Sequence, residues 1–324
     1  MQVTDIKHLV LSGGGLLGIS YIGLAKFLEE SLSNPIIKNF KSITGCSAGA
    51  IFGSLIAIGY TSTELQNIIK EMNFKEYINI NAESLINFMK LKGLESGKTI
   101  INFIKKCIKD KTNNENITFK EIKDKFNIDL QIGVTNLTKS RFELMNSKNT
   151  PNIPIHKAIS ASIAIPLIFE PVIIDDDIFC DGGLLNNLPI ETLFGENNEE
   201  DNEEEDEDNE EKKEKDKEDN TINYSSILGI YLLTQHSIVN KDNYKSIPLS
   251  QYMNIMIHAL SAEHINNKIQ YNNSNKKYKI IIFNIPCDIM SFLKINSSHE
   301  DIDNIIDIAY KTTSAAFVKA APKL

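Results

Sequence analysis

The chain has 324 residues, 42% of them hydrophobic, enough for one large core or two modest ones, and a formal charge of −9. Its longest apolar runs are too short and too rich in glycine for a membrane-spanning helix. The cysteines, Cys46, Cys107, Cys180 and Cys287, form no C-x-x-C pair and stand in no metal-ligand spacing with histidine, which argues against a disulfide framework or a zinc module.

The first residues carry no basic stretch followed by an apolar one, so no secretory leader is read and an intracellular location is expected, cytoplasmic or peripheral to a membrane. From Ile6 to Leu11 runs a β-branched and aliphatic strand that ends at Ser12-Gly13-Gly14-Gly15. A helix is predicted over 18–30 and a brief strand over Lys41 to Thr44. Gly45 then turns the chain into a helix from Ala48 to Ile58, apolar nearly all round and so expected to be buried. Thr61-x-x-Glu64 is a capping box, and Leu65, Ile68, Ile69 and Met72 behind it form the inward stripe of the next helix.

Helical stretches near 82–92 and 98–109 flank Gly93-Leu94-Glu95-Ser96-Gly97, and their apolar residues Leu85, Phe88, Met89 and Phe103 suit core packing or an acyl groove. Leu130, Ile132 and Val134 alternate with polar neighbours and pair with Arg141 to Met145 through a turn. The apolar run Val172-Ile173-Ile174 precedes Asp181-Gly182-Gly183, a strand-end acid followed by a loop without side chains.

Residues 196–220 hold sixteen Asp or Glu and four Lys, a local charge of −12, so the remainder carries −9 − (−12) = +3. Such a block repels itself and buries nothing apolar, so a disordered acidic insertion is expected there. Beyond it, 227–233 and 280–283 read as fully buried strands with a long helix over roughly 249–272 between them. A last helix presents Ile302, Ile305, Ile306 and Ala309 on one face. Strands alternating with helices predict an α/β fold of three layers, α/β/α, around a mostly parallel sheet, as one domain over 1–324.

The chemistry concentrates in three glycine-bearing segments. Gly45-Cys46-Ser47-Ala48-Gly49 is a G-x-S-x-G sequence between a short strand and an apolar helix. That is the context in which a tight turn lifts a serine hydroxyl out of the backbone beside a helix N-terminus. Gly13 to Gly18 satisfies G-x-G-x-x-G, but a dinucleotide site needs a carboxylate at the end of the second strand, and that strand ends in Thr44-Gly45-Cys46-Ser47. The run suits backbone N–H groups aimed at an oxyanion instead. None of the six histidines sits in a motif that marks it as the serine's base.

In combination these segments resemble the patatin-like phospholipase family, whose glycine-rich loop matches Gly13 to Gly18, nucleophile elbow Gly45 to Gly49, and Asp-Gly-Gly motif Asp181 to Gly183. Ala161 to Pro166 and Asn186-Asn187-Leu188-Pro189 agree in order. The resemblance implies a patatin-like fold and a lipid acyl hydrolase of phospholipase A type. Its dyad would be nucleophile Ser47 and base Asp181, with oxyanion donors from Gly13, Gly14 and Gly15. Gly18, Gly45, Gly49, Gly182 and Gly183 would support the motifs. It implies no cofactor and no metal. The expected partner is a phospholipid or other acyl lipid, with contact to a membrane surface compatible and no nucleic acid. One departure stands out. The family usually has a basic residue where this chain has Leu17, which leaves open an alternative in which the fold persists as a catalytically weak or inactive lipid-binding protein.

Overall fold

In the computed structural model, the described residues are 2–32, 35–72, 82–194, 223–233, 266–272, 278–285 and 299–318, with 245–247, 252, 255, 256 and 259. The acidic block at 196–220 lies outside them, as do His236, His258, His264 and Cys287.

A central sheet is built from β1 (His8–Leu11), β2 (Ser42–Cys46), β4 (Asp129–Asn136), β5 (Arg141–Met145), β7 (Val172–Ile174), β8 (Asp177–Asp181), β9 (Ile227–Leu233) and β10 (Lys279–Asn284). Its order is β10-β9-β1-β2-β4-β8-β7, with β5 also on β4. The run from β10 to β4 is parallel, whereas β5, β8 and β7 pair antiparallel, which makes the sheet mixed at that end. Every residue of β1 and β2 is buried, so both faces are covered there, whereas β9 and β10, expected to be fully buried, expose Leu233 and Ile282 towards the sheet edge. A second, small sheet pairs β3 (Gly93–Glu95) with β6 (Leu167–Phe169).

The flanking helices are α1 (Ser20–Ser31), α2 (Ile36–Asn39), α3 (Ala48–Ala57), α4 (Ser62–Glu71), α5 (Ala82–Leu91), α6 (Lys98–Thr112), α7 (Phe119–Phe126), α8 (Ile155–Ser162) and α9 (His299–Val318). The described part of the long helix expected over 249–272 includes helical residues 266–272. The capping box forms as read: Thr61 Oγ accepts the Glu64 N–H at 3.2 Å, and the Glu64 carboxylate accepts the Thr61 N–H at 2.8 Å. Ile302, Ile305, Ile306 and Ala309 all bury. They face α1, where a Cβ on Gly23 would stand only 2.1 Å from the Ile306 carbonyl oxygen, so the two helices approach this closely because residue 23 has no side chain.

Where a helix is predicted from residue 18, the chain first makes a 3-10 turn over Gly15–Ile19. That turn places Leu17, 1% exposed, in the main core. Among the described residues, no helix is long and apolar enough to cross a membrane.

Candidate active site

The position of the site follows from how strands share one edge of β4. Along that edge β2 runs parallel and ends with Cys46 opposite Gly133, while β8 runs antiparallel and ends with Asp181 opposite Val134. Since β5 occupies the other edge at both residues, β2 and β8 meet head-on along a single edge. Residues 46 and 181 therefore partner consecutive positions of β4, although far apart in sequence. Ser47 follows directly, and its hydroxyl comes near enough to the Asp181 carboxylate to pull that group's pKa down.

Ser47 has φ 52° and ψ −120° at the N-cap of α3. For a residue with a side chain such a backbone costs about 1–3 kcal/mol and persists only where the surroundings enforce it. Two hydrogen bonds and two close backbone approaches do so. The Ser47 N–H donates to Ser162 Oγ at 2.8 Å, and Ser162 Oγ in turn donates to the Gly133 carbonyl at 2.7 Å. A Cβ on Gly45 would lie 2.2 Å from the Gly49 carbonyl oxygen, and one on Gly49 would lie 2.2 Å from that of Leu11. The elbow is thus clasped between β1, β2 and α3 by backbone packed against backbone.

Asp181 is 5% exposed. Burial raises its pKa to about 6, against the downward pull of the Ser47 hydroxyl and of the Gly183 N–H, which reaches Oδ1 at 2.7 Å. Its own N–H donates to the Ala164 carbonyl at 2.9 Å, and its carbonyl accepts the Thr135 hydroxyl at 3.0 Å. The corner after α8 therefore holds both partners, Ser162 under the serine and Ala164 under the acid. Gly182 lies where a Cβ would meet the Gly133 carbonyl oxygen at 2.4 Å, so that loop too rests directly on β4.

The glycine-rich loop passes over the same place. Gly18 sits where a Cβ would meet Ala48 Cβ at 2.8 Å, packing the 3-10 turn on the first turn of α3. Gly15 has φ +55° with open space around its α-carbon. Among the described residues no hydrogen bond occupies the N–H of Gly14 or Gly15. Gly13 requires a correction. Its N–H donates to Asn187 Oδ1 at 2.9 Å, and Asn187 Nδ2 donates back to its carbonyl at 3.4 Å, so the side-chain amide engages both polar groups and leaves no bare donor there.

No described histidine reaches the pair. His8 stands at the far end of β1, 2.8 Å from Ser42 Oγ, and burial lowers its pKa to about 4. His156 contacts Asn116, and His299 contacts the Lys70 carbonyl. Among the described residues no group of three His, Cys, Asp or Glu is placed to hold a metal. A buried serine beside a carboxylate of raised basicity, next to amide donors with no partner among the described residues, is equipped for nucleophilic attack on a carbonyl.

Sequence reading missed Ser162, Asn187 and Lys268, whose partners lie 115, 174 and about 80 residues away. Ser162 and Asn187 belong to segments noted for their order alone; Lys268 lies in no recognised motif.

Comparison with known proteins agrees. The family model described as patatin-like phospholipase matches residues 9–194. An uncharacterized protein of Acanthamoeba polyphaga mimivirus is 34% identical over 194 residues, covering 60% of this chain and 63% of that protein. A probable lipid hydrolase of Invertebrate iridescent virus 6 is 29% identical over 196 residues, covering 60% and 65% respectively. The chain thus spans less than two thirds of the length of these relatives. Among solved structures, VipD from Legionella pneumophila superposes with a TM-score of 0.53 at 17% identity, over 97% of this chain and 67% of that one, a likeness of fold.

Proposed function

The chain belongs to the patatin-like phospholipase family, and on that premise we propose that it hydrolyses acyl esters of lipids through a dyad of Ser47 and Asp181. The observation that carries the reading is the junction of β2 and β8, where Cys46 and Asp181 partner consecutive residues of β4 and the Ser47 hydroxyl acts on the buried Asp181 carboxylate.

In this mechanism Ser47 Oγ attacks the ester carbonyl carbon while its proton passes to Asp181. The carbonyl oxygen becomes an oxyanion beside the N–H groups of Gly14 and Gly15, reinforced by the N-terminal end of α3. Asp181 returns the proton to the departing alcohol, leaving an acyl group on Ser47. It then takes a proton from the water that attacks the acyl carbonyl, and hands it to Ser47 Oγ as the acyl–oxygen bond breaks, which frees the fatty acid and restores the dyad. A carboxylate of ordinary basicity is a poor base for serine; the rise to about 6 narrows that mismatch by roughly two units. The rest of the barrier reduction falls to the oxyanion donors, worth about 3–4 kcal/mol each.

Glycerophospholipids and related acyl lipids are the proposed substrates, on the strength of the family and of the lipid-hydrolase relative. Leu17 does not weaken the reading, because its side chain is core and does not line the loop's open face. The test is incubation of purified protein with a panel of phospholipids and acylglycerols, followed by mass spectrometry of released fatty acids, with fluorophosphonate labelling in parallel. Release that vanishes in Ser47→Ala, and labelling mapped to Ser47, are expected. Absence of both from the wild-type protein favours the non-catalytic lipid binder.

A further inference from the structure

We propose that Lys268 is a positioning residue, whose ammonium fixes the loop after Asp181 in the place from which Asn187 grips the glycine-rich loop. The inference rests on the ester-hydrolase reading above and extends it to a residue beyond the 9–194 match.

Lys268 Nζ donates to Asn186 Oδ1 at 2.6 Å, to the Leu188 carbonyl at 3.1 Å and to Glu191 Oε1 at 2.5 Å. An ammonium has three N–H bonds, and here each has a partner. Two of those partners, Asn186 and Leu188, bracket residue 187 in the chain. Asn186 Nδ2 also donates to Glu191 Oε1 at 2.7 Å, which closes the three side chains into a ring. The Lys268 side chain is only 13% exposed while that of Glu191 is 48% exposed, so the ammonium is withdrawn from solvent and its bonds to Asn186 and Leu188 matter more than the ion pair.

Held between those anchors, Asn187 directs its amide at Gly13 and engages both the N–H and the carbonyl of that residue. Gly13 immediately precedes the proposed oxyanion donors Gly14 and Gly15. The same loop is seated from below, because Leu188, Ile190 and Leu193 bury with Val10 and Ile227 in a small cluster that Ile269 packs against. Helical residues 266–272 therefore meet the loop twice, through Ile269 in the cluster and Lys268 at the polar ring. Removing the ammonium leaves a buried carbonyl and the Asn186 and Glu191 oxygens without their charged donor, and the loop relaxes toward other partners. The cluster would keep the chain folded while the amide of Asn187 lost its aim.

The test uses the full chain as wild type, K268M, K268R and E191Q. A soluble ester assay gives kcat and KM, and hydrogen exchange reports the peptide containing Gly13. K268M is expected to lose kcat by about tenfold with KM within about twofold, because the loss lies in transition-state stabilisation. Exchange at Gly13 should quicken by about tenfold, the size of one charge-assisted bond. K268R should restore kcat to within about threefold, since a guanidinium keeps the charge and offers enough N–H donors for the three oxygens, though in a planar fork. If K268M fails to fold, E191Q carries the test and should show both effects in weaker form. Wild-type kcat and exchange in K268M, or in E191Q where K268M does not fold, overturn the proposal. So does a loss of kcat that only follows the folded fraction with Gly13 exchange unchanged. Should the wild-type protein be inert toward esters and fluorophosphonate, the hydrolase reading fails, and Gly13 exchange still decides whether Lys268 holds the loop.

Discussion

The hydroxyl of Ser162 accepts a hydrogen bond from the backbone N–H of Ser47 at 2.8 Å and donates one to the Gly133 carbonyl at 2.7 Å. A residue at the end of α8 thus links the elbow to the strand on which Asp181 also rests. Ser162→Ala removes both bonds, leaving the buried Ser47 N–H unpaired and the Gly133 carbonyl with only the weak Cys46 thiol donor, which should lower stability by about 1–3 kcal/mol. Activity should fall further than stability accounts for, because the elbow's backbone is no longer enforced. Denaturant unfolding and ester turnover measured on the same preparations check this; equal kcat in the two proteins would contradict it.

The proposed base sets a pH dependence. With its pKa near 6, Asp181 is protonated in acid and cannot accept the serine proton. Turnover should rise between about pH 5 and 7 with a midpoint near 6 and then level off. A midpoint near pH 4 would mean that burial does not raise this carboxyl in solution.

The same shift acts on stability with the opposite benefit. Protonation is easier in the folded state than in the unfolded chain, so the contribution of Asp181 to stability is fully present below the unfolded pKa of 3.8 and is lost as pH rises through about 6. The decline is about 3 kcal/mol at 1.36 kcal/mol per unit. Asp181→Asn should abolish turnover yet stabilise the fold by about 2–3 kcal/mol at pH 7, with little gain at pH 4. Thermal unfolding of the two proteins at both pH values decides it.

Restoring the family's usual basic residue should do harm in this chain. Leu17 is 1% exposed in the main core, so Leu17→Arg buries a charge without a partner and should destabilise by more than about 3 kcal/mol. A folded Leu17→Arg protein with wild-type melting temperature would show that the loop can turn this side chain outward.

The parts legible in sequence are those whose cause is local. Gly45 and Gly49 could be read because backbone packed on backbone forbids a Cβ, and Thr61 because its partner lies three residues on. The parallel order of the strands followed from their alternation with helices. The antiparallel end did not, since β7 and β8 are short and only the pairing of Val134 with Asp181 reveals where they dock. β3 and β6, three residues each, are too brief for any periodicity. Helix α7 was open to reading, for Thr118 and Glu121 form the same capping box as Thr61 and Glu64. Gly13 looked like a bare donor until Asn187, 174 residues away, was seen to take it.

The head-on arrangement of β2 and β8 makes the proposed chemistry hostage to strand alignment. Side chains alternate between faces along a strand, so sliding β8 by one residue would turn the Asp181 carboxylate to the opposite face and present the Cys180 thiol in its stead. Length changes at the 175–176 hairpin tip leave the pairing of Val134 with Asp181 free to persist, whereas loss of any one residue from 177–180 does not. Such a deletion would spare most of the sheet and still extinguish the enzyme.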